Sequence, residues 1–132
     1  FRSADAVTAF NRLWDPRRAA AYGGWELSER NLRVLRLVPR ARPLSGTGNI
    51  CSGTLVAAYA AAGCSSVQLH TMFQLPLAEY PSSEGSRSAR TLHKLVFDPA
   101  DGLIAALLAA EARGEADRVG GELRFRDFVR PQ

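Results

Sequence analysis

The sequence predicts an α/β fold in which short apolar strands alternate with helices and run parallel to one another. Three short apolar runs, at 5–11, 42–46 and 65–70, are bounded by polar or turn-forming residues. A helical pattern separates each run from the next. This order is typical of βαβ units, whose strands lie parallel in one sheet.

Composition limits the classes of protein to consider. The 132 residues, 46% of them hydrophobic, suit one globular domain. The net charge is +4, but the arginines are scattered among alanines rather than gathered in a block, so we expect no nucleic-acid partner. No apolar run approaches the roughly 18 residues of a membrane span. Cys51 and Cys64 have neither metal-ligand spacing nor the density of a disulfide framework, so free thiols and a cytoplasmic location are expected.

The first strand is predicted over DAVTAFN and ends at Asn11. An asparagine at a strand end is a common turn former, or else its amide contacts a ligand. A loop is expected over 12–27, where Pro16 and the pair Gly23–Gly24 break regular structure.

The first helix is predicted to begin at Ser28 as N-cap and to stop at Pro39. Its expected apolar face consists of the hydrophobic residues at helical spacing, namely Leu32, Val34, Leu35, Leu37 and Val38.

The second and third strands enclose the next helix. The strand RPLSG (42–46) leads into a helix over 52–62, which Gly63 ends at the C′ position. In the third strand, over 65–70, Gln68 and His70 share the face opposite Val67, and polar groups on a buried strand need partners.

The rest of the chain is predicted to be mainly helical. After an irregular stretch over 71–90, a short helix is expected within 89–97. Asp98 as N-cap and Pro99 at the first helical position predict a second helix, which Gly114 ends. The alternation in 121–128 indicates a short edge strand or a docked tail.

The stretch LSGTGNICSG (44–53) is the strongest candidate for a site. Glycines at the carboxyl end of a parallel strand let backbone N–H groups approach an anion, and the following helix adds a favourable dipole. The alternative is a plain tight turn with Gly46 and Gly48 at positive φ. Thr71, at the end of the next strand, could meet the same anion because consecutive strands of this kind are neighbours.

The ordered segments AVTAFN, YGGWEL, LSGTGNICSG and AGCSSVQLHT resemble the last three βα units of the dihydroorotate dehydrogenase family of FMN-dependent (β/α)8 barrels. In that family the eighth strand reads Ala-Gly-Ala-x-x-Val-Gln-x-x-Thr, and the seventh runs into a Gly-x-Gly-Gly-Ile loop that holds the FMN phosphate. The resemblance covers residues 4–75. It implies a partial (β/α)8 TIM barrel whose last three βα units are followed by a C-terminal helical extension over 72–132.

The resemblance also implies a cofactor site. The residues that it assigns to the FMN phosphate are the backbone donors Gly46, Gly48 and Asn49, the neighbouring Gly23 and Gly24, and the closing residues His70 and Thr71. Asn11 would face the small-molecule substrate or the flavin ring. Asn49 stands where the family has a second glycine, a position that an asparagine can occupy because it tolerates the left-handed conformation.

The implied function is hydride transfer from a dihydropyrimidine-type substrate to FMN. The Ser or Cys base of that reaction belongs to strands expected before residue 1, so the rest of the barrel or a homo-oligomer is the expected partner. Two alternatives remain: another phosphate-binding barrel enzyme of glutamate-synthase or aldolase type, and a non-catalytic fragment that lacks the reactive half.

Overall fold

The computed structural model describes residues 4–38, 42–76 and 84–125. Within these ranges three short strands come first, two further strands alternate with helices in the middle, and three helices come last. The elements are β1 (Val7–Thr8), β2 (Leu13–Asp15), β3 (Ala20–Tyr22), α1 (Trp25–Leu37), β4 (Leu44–Gly46), α2 (Gly53–Ala61), β5 (Ser66–Val67), α3 (Thr71–Gln74), α4 (Arg87–Phe97) and α5 (Leu103–Ala112).

A three-stranded parallel sheet, in the order β1-β4-β5, forms the centre of the fold. Val7 lies opposite Leu44, and Gly46 lies opposite Val67. Helices α1 and α2 provide the crossovers between these strands, so the predicted parallel βαβ arrangement is confirmed. The strands are shorter than predicted, at two or three residues each.

The segment predicted as a loop over 12–27 contains an antiparallel hairpin instead. Strands β2 and β3 pair with Trp14 opposite Ala21. The carboxylate of Asp15 accepts a hydrogen bond from the Arg17 N–H at 2.9 Å. This hydrogen bond stabilises the turn that contains Pro16. The hairpin was not predicted because proline breaks regular structure, but Pro16 lies in the turn between β2 and β3, where proline is favoured.

Helix α1 begins at Trp25, three residues before the predicted start. The Gly24 carbonyl accepts hydrogen bonds from the N–H groups of Leu27 and Ser28, so Gly24 is the N-cap and Ser28 is not. Of the predicted apolar face, Leu35 is buried and Leu32 and Val38 pack against the core, whereas Val34 and Leu37 are exposed. The other buried residues of this helix are Leu27, Ser28 and Asn31. Pro39 lies outside the described residues.

Helix α2 is buried between the sheet and α5, which explains why its sequence is apolar on every side. The Ser52 hydroxyl accepts from the Leu55 N–H at 3.1 Å and caps the first turn. Gly63, with φ of 99°, follows the last turn as predicted. The Tyr59 side chain from this helix is completely buried in the main core.

The C-terminal helices confirm one prediction and correct another. Helix α4 covers the predicted 89–97 and starts two residues earlier, at Arg87. Asp98 ends α4, and its carboxylate accepts from the N–H groups of Ala100 and Asp101, so it caps the turn between two helices rather than starting α5. Helix α5 begins after Gly102 and ends before Gly114.

The segment after α5 docks against the core as far as it is described. Phe125 packs against the main core that contains Tyr59 and against a smaller cluster between α2 and α5 that includes Ala60 and Leu107. A single bridge joins Val119 and Glu122, and no edge strand forms within 121–125; residues 126–128 lie outside the described residues. Within the described ranges, every helix is too short or too polar to cross a bilayer.

Candidate functional site

The glycine loop, defined as residues 46–52, leaves the central strand β4 at its carboxyl end. Because the sheet is parallel, the segments after β1 and β5 begin at the same edge. Thr47, Gly48 and Ile50 are buried, whereas Asn49 and Cys51 are partly exposed. The fold therefore brings the predicted loop to the edge of the sheet where α/β proteins bind ligands.

Two consecutive carbonyl groups of the glycine loop point into the protein. The Thr47 carbonyl accepts hydrogen bonds from the Tyr59 hydroxyl at 2.7 Å and from Asn31 Nδ2 at 2.8 Å. The Gly48 carbonyl accepts from the Ser28 hydroxyl at 2.9 Å. We call Ser28, Asn31 and Tyr59 the buried polar cluster, since all three side chains are 1% exposed or less.

The inward carbonyls determine where the next N–H groups point. The chain contains no cis peptide among the described residues, and in a planar trans peptide the N–H is directed opposite to the C=O. The N–H groups of Gly48 and Asn49 therefore point away from the buried polar cluster. No backbone N–H of residues 47–51 donates to an acceptor within the described ranges.

The backbone conformation of the loop is left-handed at two successive residues. Gly48 has φ of 100° and Asn49 has φ of 52°. Successive backbone N–H groups at a turn can form a concave anion-binding surface. Asn49 adopts the left-handed conformation that asparagine tolerates better than most residues with a side chain.

Gly46 does not share that conformation, so the tight-turn reading was wrong for this residue. It lies within β4, and its carbonyl accepts from the Gln68 N–H at 2.8 Å. A Cβ at position 46 would lie 2.5 Å from Tyr59 Cδ1, so the glycine is required by packing.

The first turn of α2 offers no free donors to an anion. The N–H groups of Gly53 and Thr54 both donate to the Asp101 carbonyl, at 2.9 and 3.2 Å. On this side Asp98 lies beside Lys94, with 3.4 Å between Nζ and Oδ2. The backbone N–H groups of Ala100 and Asp101, helped by Lys94, lower the pKa of Asp98. Within the described ranges, the N–H groups at the start of α2 are thus already bonded, whereas those of Gly48 and Asn49 have no acceptor.

Of the predicted residues before α1, Gly23 is linked to the glycine loop through the side chain of Leu27. A Cβ at Gly23 would lie 4.0 Å from both the Asn11 carbonyl oxygen and Leu27 Cδ2, and a Cβ at Gly48 would lie 3.2 Å from the same Leu27 atom. Leu27 thus separates Gly23 from Gly48. Asn11 is exposed.

The residues after β5 are less closely connected to the glycine loop. His70 precedes the short helix α3, and Thr71 begins it. Gln68 and His70 are exposed, so the expectation that their strand is buried and that they need internal partners was wrong. Neither His70 nor Thr71 makes a side-chain hydrogen bond to the glycine loop within the described ranges.

Sequence reasoning missed the buried polar cluster altogether. Asn31 lies four residues after Leu27 and four before Leu35, so helical spacing could have placed it on the buried face. A polar residue at such a position needs a hydrogen-bond partner. The need for such a partner could have marked Asn31 as a residue with a functional or structural role.

Burial keeps the hydroxyl and thiol groups near the loop protonated. Desolvation is the main cause that raises the pKa of Tyr59, so its hydroxyl remains a donor to the Thr47 carbonyl. Burial likewise raises the pKa of Cys51, whose thiol lies 3.3 Å from the Asn49 carbonyl oxygen. Cys51 therefore lacks the lowered pKa of a nucleophilic cysteine.

Comparison with protein-family models, with curated proteins and with solved structures gives no match to this chain. Its function must therefore be inferred from its own residues.

Proposed function

We propose that this chain is the phosphate-anchoring part of an FMN-dependent oxidoreductase of the dihydroorotate dehydrogenase type, built on the last three βα units of a (β/α)8 barrel. The observation that carries the proposal is the pair of N–H groups at Gly48 and Asn49, which point away from the buried polar cluster and have no acceptor within the described ranges. The parallel order β1-β4-β5 is consistent with consecutive units of such a barrel.

The residues present fit a phosphate group. A dianion accepts several hydrogen bonds at once, and consecutive N–H groups at left-handed residues are suited to it without a dedicated lysine. Asn49 and Cys51 are partly exposed, so the loop can be approached from solvent. Gly48 and Asn49 would hold the phosphate, and Thr71, the first residue of α3 after β5, would contribute its hydroxyl.

The chemistry of the complete enzyme would be divided between cofactor and protein. FMN, when bound, supplies the acceptor for a hydride from a dihydropyrimidine-type substrate. The role of this chain would be to bind and orient the cofactor. Asn11, which is exposed beside Gly23, is the candidate for contact with the substrate or the flavin ring. The base that removes the second proton would come from other strands.

Flavin binding to the purified chain tests the proposal. We expect absorbance and fluorescence changes of added FMN that saturate, and competition by inorganic phosphate. Gly48→Val should abolish binding, because a Cβ there would lie 2.8 Å from Asn31 Nδ2 in a backbone conformation that valine avoids. Gly114→Val is the matched control, since Gly114 also has positive φ but no atom within 4 Å of its Cβ position.

The outcomes separate the candidate functions. Binding by the unaltered chain and by Gly114→Val, with loss in Gly48→Val, supports the proposal. Binding of phosphate without FMN favours another phosphate-binding barrel. Failure to bind either ligand contradicts the proposed function, as does unchanged FMN affinity in Gly48→Val.

A further inference from the structure

We infer that Asn31 is a positioning residue for the anion site: its side-chain amide holds the glycine loop in the conformation that turns the N–H groups of Gly48 and Asn49 toward a ligand. The inference rests on the proposed function, because it concerns the same loop. Asn31 would act through the backbone and would not touch the ligand.

Asn31 joins the segments that follow two neighbouring strands. Its Nδ2 group donates to the Phe10 carbonyl after β1, at 2.6 Å, and to the Thr47 carbonyl after β4, at 2.8 Å. The side chain is 1% exposed. These two acceptors also fix which end of the amide is nitrogen, because the opposite orientation would bring three carbonyl oxygens together.

The bond to Thr47 is the part that affects the anion site. Since the peptide between Thr47 and Gly48 is planar and trans, holding the Thr47 carbonyl inward holds the Gly48 N–H outward. Tyr59 shares this acceptor, and Ser28 performs the same role for the next carbonyl. Among the hydrogen bonds of the described residues, Asn31 alone of the three also ties the loop to the segment after the neighbouring strand.

The oxygen of the Asn31 side-chain amide does not help to hold the glycine loop. Oδ1 is buried and has no hydrogen-bond partner within the described ranges. A buried acceptor without a donor is unfavourable, so any stabilising contribution of this amide comes from what Nδ2 binds. Neither leucine, of similar shape, nor aspartate, an acceptor when ionised, can provide the two donors.

The test measures FMN affinity and loop conformation in Asn31→Leu, with Thr91→Val as the matched control. Thr91 is also a fully buried polar residue on a helix, and its hydroxyl donates to the Arg87 carbonyl, far from the glycine loop in the sequence. We expect Asn31→Leu to weaken FMN binding at least tenfold and to change the amide shifts of Gly48 and Asn49. Thr91→Val should alter affinity less than threefold, although both variants lower the unfolding temperature.

A milder variant guards against loss of the fold. Tyr59→Phe keeps the ring and removes one donor to the Thr47 carbonyl, so it should weaken FMN binding less than Asn31→Leu while shifting the same two amides. If Asn31→Leu does not fold, Asn31→Ser decides, because serine keeps a small polar side chain but cannot donate to the Phe10 and Thr47 carbonyls at once. Unchanged Gly48 and Asn49 amides in folded Asn31→Ser overturn the inference.

Failure of the inference differs from failure of the proposed function. If the unaltered chain binds FMN and folded Asn31→Leu binds it equally well, the inference is overturned while the proposed function stands. If the unaltered chain binds neither FMN nor phosphate, the proposed function fails and the inference of a ligand-positioning role fails with it, whatever the amide shifts show about the loop.

Discussion

The phenol ring of Tyr59 occupies the space in which residue 46 would carry a side chain. A Cβ at Gly46 would lie 2.5 Å from Tyr59 Cδ1 and 2.7 Å from Cγ, both closer than side chains approach one another. The same tyrosine donates its hydroxyl to the Thr47 carbonyl. Tyr59 of α2 thus fixes the path of the chain after β4, both by the packing of its ring and by the hydrogen bond of its hydroxyl.

Gly46→Ala should destabilise the protein by about 1–3 kcal/mol, because the added methyl group overpacks a core site whose neighbours cannot move freely. Chemical denaturation measures this difference in the free energy of unfolding. Gly23→Ala is the matched control: its Cβ would have no neighbour closer than 3.9 Å. Equal stabilities of the two variants would show that the contact between position 46 and Tyr59 does not limit the fold.

Acid should destabilise the turn between α4 and α5. The pKa of Asp98 lies below its ordinary value of 3.8 in the folded chain, mainly because the N–H groups of Ala100 and Asp101 bind its ionised form. Its stabilising contribution is therefore present above about pH 4 and is lost as the pH falls through the lower folded value.

Asp98→Asn checks this prediction, because asparagine keeps an acceptor oxygen for the same two N–H groups but does not titrate. Denaturation midpoints between pH 2 and pH 5 should fall less steeply in this variant than in the unaltered chain. Identical acid profiles would contradict the role assigned to Asp98.

Alkali should destabilise the core around Cys64. Burial raises the pKa of this thiol from 9.0 to about 11. The folded state therefore favours the protonated thiol: its contribution is complete below pH 9 and declines as the pH rises toward about 11. Cys64→Ala should make the loss of stability over this range less steep.

Cys51→Ala serves as the comparison for this alkaline range, because Cys51 is only partly buried. Its denaturation midpoint should fall between pH 8 and pH 11 more steeply than that of Cys64→Ala. If the denaturation midpoint of Cys64→Ala falls with pH as steeply as that of Cys51→Ala, the alkaline loss of stability does not come from Cys64.

The order of strands and helices could be predicted because it depends on local patterns. The helix of Leu55 and Val56, with Gly63 after it, and the helix before Asp98 were found where the apolar spacing and turn residues indicated. Asp98 was wrongly predicted to be the N-cap of α5, because an aspartate before a proline is favoured both at a helix start and in a turn between helices.

The support of the candidate site could not be predicted from local patterns. Asn31 and Tyr59 lie 16 and 12 residues from Thr47, and only the tertiary fold brings their side chains to its carbonyl. The glycine loop was recognisable as a loop, but the reason for each glycine differs. Gly46 makes room for a ring, whereas Gly48 adopts a positive φ beside Asn31.

Titration of the chain with inorganic phosphate, followed by the amide resonances of residues 47–54, tests the central claim most directly. We predict saturable shifts that are largest at Gly48 and Asn49, whose N–H groups have no acceptor within the described ranges. The shifts should be small at Gly53 and Thr54, whose N–H groups already bind the Asp101 carbonyl. No shift in the glycine loop, or the largest shifts at Gly53 and Thr54, would contradict it.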